Sequence, residues 1–192
     1  MNRNQVLPQV ELSADPSALS RVDFCAPQSY KGVGFLEITA LPRVAEEASS
    51  IDPGDGFHWQ IETHFANSPG SEPRQILELG IKGRIHLVCQ SCLQDCGLDL
   101  AQKSRFIMVA TEAEADAFPI EDDQQDPLVV SQHFDLLGLI EDEILLSFPL
   151  IPKHPEGTCQ PHASSFGEGG EMLEASEKPQ NPFNILKNMM KN

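Results

Sequence analysis

Three of the chain's five cysteines crowd into one run, LVCQSCLQDC (87–96), as Cys89, Cys92 and Cys96. A C-x-x-C pair delivers two thiolates from a single turn of chain. Tetrahedral zinc takes four thiolate or imidazole donors, usually as two close-spaced pairs from two segments. A second pair stands downstream in PKHPEGTC (152–159), where His154 and Cys159 sit in a run rich in Pro and Gly that can turn both inward. His162, just past Cys159, is a spare donor that could replace His154. Cys89, Cys92, His154 and Cys159 are therefore candidate ligands for a structural zinc. Two other readings stay open. Reduced cysteine is often simply buried, and Cys89 falls in phase with the apolar side of its run. Redox catalysis is disfavoured, because a thioredoxin-type C-x-x-C opens a helix after a βα unit and this one lies between strands. With four protein ligands no position is left for water, so a zinc here would be a staple rather than a catalyst.

Other chemistry is thinner. Glu141, Asp142 and Glu143 invite a metal-dependent nuclease, but consecutive helical residues fan out by about 100° each and do not converge on one ion. They read as a solvated helix face or as an acidic docking surface for a basic partner. Lys82, Arg84, Lys103 and Arg105 could share one side of two neighbouring strands as a small positive stripe, a candidate contact for RNA phosphates, or could be ordinary solvent-facing charges. The Gly run at 167–170 has no strand-to-helix context and reads as linker.

These side chains need elements to hold them. FHWQIETHF (57–65) alternates, with Phe57, Trp59, Ile61, Thr63 and Phe65 on one side and His58 and His64 on the other. Residues 76–89 alternate again, 96–110 form a third strand, and the cysteine run is the connection between the two. Shorter strands are expected within 6–12, 33–42 and 128–131. FDLLGLIEDEILLSF (134–148) carries Leu136, Leu137, Ile140, Ile144, Leu145 and Phe148 at helical spacing and ends at Pro149. A short helix is expected after Asp15-Pro16 and another at 43–48. Residues 111–127 hold seven acids and no base, the pattern of a solvated acidic loop. The expected fold is α+β: one domain over 1–162 dominated by an antiparallel sheet, with the helix 134–148 packed on it. A linker over 163–180 and a short terminal helix over 181–192 complete it, and Phe183 and Leu186 are candidate docking residues.

A chain of 192 residues with a formal charge of −16 and pI near 4.6 repels nucleic acid and anionic membrane in bulk. Contact with RNA then needs a local basic patch or a protein intermediary. No apolar run is long enough to span a membrane, the N-terminus has no secretory pattern, and the odd cysteine count fits reduced thiols, so a cytoplasmic protein is expected.

Four motifs in order resemble the bacterial large ribosomal RNA subunit accumulation protein family, YceD. They are Cys89-x-x-Cys92-Leu93 after an alternating strand, IEDEI (140–144), PLIPKH with Cys159 beyond it, and a terminal NPF-x-x-L (Asn181, Pro182, Phe183, Leu186). The resemblance implies a non-enzymatic cytosolic factor that supports synthesis, processing or stability of 23S rRNA. Its partner would be a pre-ribosomal particle, the 23S rRNA or a basic ribosomal protein, with no membrane and no small-molecule substrate. Two departures stand out: Ser91 occupies a place where many members carry Arg, and Cys96 is extra. The alternative class is a zinc-stabilised protein-interaction module not tied to RNA.

Overall fold

The structure is a computed structural model that describes residues 8–66, 73–119 and 125–159. His162, the linker, Phe183 and Leu186 lie outside the described residues, as do positions 120–124 of the acidic run.

The alternation in the central segments becomes a continuous ladder. β3 (Gly56–Ala66), β4 (Arg74–Val88) and β5 (Asp95–Val109) pair antiparallel without a bulge, and β2 (Ser29–Glu37) joins β3 antiparallel on the outer side. Two short strands complete a six-stranded sheet in the order β1-β2-β3-β4-β5-β6. β1 (Gln9–Glu11) and β6 (Asp126–Val129) both add parallel to their neighbours. The sheet is therefore mixed: its four central strands are antiparallel as expected, and the two edges depart from that. Three-residue and four-residue edges carry no periodicity, so their direction is set by where the chain re-enters the sheet.

Because side chains alternate across a strand, register sorts them onto two faces. One face carries Tyr30, Leu36, Phe57, Trp59, Ile61, Leu77, Leu79, Ile81, Ile85 and Leu87, all buried. The helices α1 (Pro16–Leu19), α2 (Pro42–Glu47) and α4 (Leu136–Leu146) supply Leu19, Val44, Leu136, Ile140 and Ile144 to the same core. Trp59 needs room on this face. A Cβ at Gly32 or Gly34 would come within 2.9 Å of its ring, so those two positions in β2 must lack side chains.

α4 is two residues shorter at each end than the apolar spacing suggests. Asp135 caps it through Gly138 N, and Pro149 follows it. Within the acidic run the chain forms a short helix, α3 (Glu112–Asp116), capped by Thr111, where a loop is expected. Among the described residues no helix is long and apolar enough to cross a membrane.

Candidate metal centre

β4 and β5 meet through a tight connection that presents the cysteines. Cys89 N donates to Gln94 O at 2.9 Å, and Leu93 N donates to Cys89 O at 2.9 Å, curling the chain around the Cys89 sulfur. Leu93 takes a positive φ of 59° to make this turn. The segment after α4 arrives through Gln90 N, which donates to Pro152 O at 2.9 Å. A second turn then faces His154 and Cys159 the same way: Thr158 N donates to Pro155 O at 3.1 Å, and Gly157 has φ 82°.

The two pairs converge. The donor atoms of Cys89, Cys92, His154 and Cys159 all lie within 4.8 Å of one another. Cys89 Sγ lies 3.7 Å from Cys159 Sγ, and Cys92 Sγ lies 3.4 Å from His154 Nδ1. A tetrahedron with Zn–S near 2.3 Å and Zn–N near 2.0 Å has edges of about 3.5–3.8 Å, so these two separations already match. Three thiols and one imidazole are a common structural-zinc donor set. The His154 ring is also held as a ligand would be: its Nε2 lies 2.8 Å from the carbonyl of Asp95, which leaves Nδ1 free to face the sulfurs. The residues present fit the metal. Cys96 is buried beside Cys89 and Cys92 but stands outside the group of four, while Cys25 is exposed and distant in sequence.

Electrostatics support the same geometry. The Cys89 thiol is brought down to about 5 by the backbone N–H of Cys92, with those of Ser91 and His154 adding to it. Burial pushes the Cys92 and Cys96 thiols up. His154 is raised by hydrogen bonding to the Cys159 and Cys89 sulfurs and to the Asp95 backbone. One sulfur of the group is thus thiolate at neutral pH and ready to accept a cation.

Asp95 ties the centre to the sheet, a connection that residue spacing does not reveal. Its carboxylate accepts from Ser49 Oγ at 2.5 Å, from Ser50 Oγ at 2.9 Å and from His86 Nδ1 at 2.5 Å. Ser49 N also donates to His86 O, docking the 49–55 segment on β4. The far nitrogen of His86 faces Asp52 and Asp55 at 4.0 Å each. His86 thus stands among three carboxylates, which raise its pKa with the Asp95 hydrogen bond leading, and belongs to this network rather than to the basic stripe.

The other candidate residues separate. Glu141 and Glu143 are 4% and 8% exposed, which corrects the expected solvated or docking face. Glu141 accepts from Arg43 N at 2.6 Å, Arg43 Nε at 2.8 Å and Val44 N at 3.2 Å, while Asp142 pairs with Arg43 NH1 and Glu143 accepts from the Ser104 hydroxyl. Glu141 and Asp142 share Arg43 while Glu143 turns to Ser104, and among the described residues the three form no group that could hold a metal ion. The basic residues do share one sheet face, since Lys82 lies opposite Ala101, Arg84 opposite Asp99 and Glu78 opposite Arg105. Arg84 pairs with Asp99 at 3.2 Å, but Lys82, Lys103 and Arg105 make no ion pair with another described residue.

The family model described as "Large ribosomal RNA subunit accumulation protein YceD" matches residues 77–190, more than half of the chain. The chain belongs to the YceD family. A Haemophilus influenzae protein named "Large ribosomal RNA subunit accumulation protein YceD" is 26% identical over 185 residues, covering 94% of this chain and 96% of that protein. No solved structure matches this chain. The segment matched by the family model contains both halves of the candidate metal centre, with β4 and β5 between which the first half is held.

Proposed function

We propose that this YceD family member is a non-enzymatic, cytoplasmic factor in ribosome biogenesis that supports synthesis, processing or stability of 23S rRNA. It acts by binding, and its partners are a pre-ribosomal particle, the rRNA itself or a basic ribosomal protein. The observation that carries the reading is the family match across the whole candidate metal centre, a closed set of four ligands with no fifth position for chemistry. A structural zinc held by Cys89, Cys92, His154 and Cys159 would cross-link the β4–β5 connection to the segment after α4. With Glu141 and Asp142 occupied by the Arg43 guanidinium and Glu143 by the Ser104 hydroxyl, the three offer no free carboxylate cluster for a nuclease metal, in keeping with a binding role.

Depletion of the protein in growing cells tests the reading. The ratio of 23S to 16S rRNA should fall and return when the gene is restored. An unchanged ratio would end the biogenesis assignment and favour an interaction module unconnected to RNA.

A further inference from the structure

The face of the sheet opposite α1, α2 and α4 has an ordered composition. Four rows of side chains cross it from β2 to β5, read from the pairings. Lys31, Glu62, Glu78 and Arg105 form one row, followed by Val33, Gln60, Gly80 and Lys103. Then come Phe35, His58, Lys82 and Ala101, and finally Glu37, Gly56, Arg84 and Asp99. Carboxylates occur in the two outer rows and are absent from the two inner ones.

Over those inner rows lies a trough of ≈ 800 Å³. Its lining includes His58, Gln60, Lys82, Gln102 and Lys103 and contains no Asp or Glu, in a chain with twenty-nine of them. Gly80 and Ala101 leave its floor low. His58 of the lining stands ring to ring with Phe35 just beyond it, with centroids 4.8 Å apart and an interplanar angle of 51°, and the pair forms an aromatic wall at the trough's edge. Phe35 is 38% exposed and neighbouring Val33 60% exposed, so apolar and aromatic surface faces water beside two ammonium groups that pair with no described carboxylate.

We infer that this trough binds a short single-stranded segment of RNA, with a base stacked on the Phe35–His58 wall and its phosphates held by Lys82 and Lys103. The inference rests on the biogenesis reading and gives it a site. The chemistry of the surface selects this occupant. Unpaired lysines attract phosphate, and flat aromatic rings on an open sheet accept bases, which in a duplex are already stacked on one another. Gln60 presents an amide able to meet a base edge. Strands about 4.8 Å apart make the face about 14 Å wide from β2 to β5, room for two or three nucleotides. The outer rows mix carboxylates with bases, so surplus positive charge is confined to the two inner rows and the contact is short, which reconciles an acidic body with an RNA-facing role.

The test uses the full-length protein and a short mixed-sequence single-stranded oligoribonucleotide, with the same sequence annealed as a duplex for comparison. Single strands should bind more tightly than duplex. Phe35→Ala should weaken that binding about tenfold. Lys82→Ala with Lys103→Ala should flatten the salt dependence by about 0.7 per lost phosphate contact. All variants should keep the wild-type thermal midpoint, since these side chains lie outside the core. Equal affinity for wild type and variants, or no affinity for single strands, overturns the inference. So does conversion of a self-associated wild type to monomer by Phe35→Ala with RNA affinity unchanged, which would make the face a contact between copies of this chain. In depleted cells, wild type restores 23S rRNA and the double lysine variant restores less. Full rescue by that variant defeats the trough alone, whereas absence of any 23S defect on depletion defeats the underlying reading.

Discussion

Leu93 is the one described non-glycine residue with positive φ, and it follows Cys92 directly. Its side chain is 68% exposed, so packing does not hold it there; the turn around Cys89 does. A β-carbon in the left-handed region costs about 1–2 kcal/mol, partly offset by the entropy a glycine would lose on folding. Leu93→Gly should therefore raise unfolding stability by up to about 1 kcal/mol, seen as a higher urea midpoint at unchanged slope; a drop would show that the leucine side chain is itself required. His86 offers a second residue-level expectation. The Asp95 carboxylate beside it, with Asp55 and Asp52 nearby, raises its pKa. A raised folded-state pKa gives stability that is fully present below the unfolded value, about 6.5. That stability is lost as pH rises through the folded value. The stability gap between wild type and His86→Gln should thus be widest in mildly acidic solution and shrink as the pH becomes alkaline; a gap independent of pH would contradict the charge network. The four side chains that could hold a metal were legible because cysteine and histidine announce their chemistry by type and spacing. The Asp95 link was not, because it runs through two serine hydroxyls and a backbone carbonyl that no spacing rule encodes.

Between elements, Glu141 works as a clamp from α4 onto α2. Leu41 offers α2 no side-chain cap, and Glu141 fills that role from far along the chain by accepting from the N–H groups of Arg43 and Val44. Glu141→Ala should cost about 2–3 kcal/mol in chemical denaturation, because two N–H donors in the first turn of α2 lose their acceptor. A loss within the few tenths typical of an exposed acid would mean the clamp is ornamental. The sequence pattern served the long elements well: β3 alternates over its full length, and α4 carries an apolar stripe of several turns. Among the short elements it anticipates α1 and α2 but misses α3. α3 is five residues without an apolar stripe, so only Thr111 and Glu114 hint at its capped start. The parallel directions of β1 and β6 depend on long-range pairing and leave no local trace. Glu141 and Glu143 were misplaced for a related reason, since the donors they satisfy sit on α2 and β5 and not on their own helix.

At the scale of the whole molecule, α1, α2 and α4 cover one side of a mixed sheet among the described residues. The aromatic content is low, at 6%. A cross-link between the β4–β5 connection and the chain beyond α4 is therefore positioned to hold together parts that would otherwise meet through a few hydrogen bonds. Structural metal binding of this kind contributes directly to folding stability. Metal analysis of the purified full-length chain, kept reduced, is the most direct test. The account predicts one equivalent of zinc per chain in the wild type and almost none in Cys92→Ser, with a lower thermal midpoint after chelation of the wild type. A wild-type protein that is folded, has all five thiols reduced and holds no metal even when supplied with zinc would contradict it.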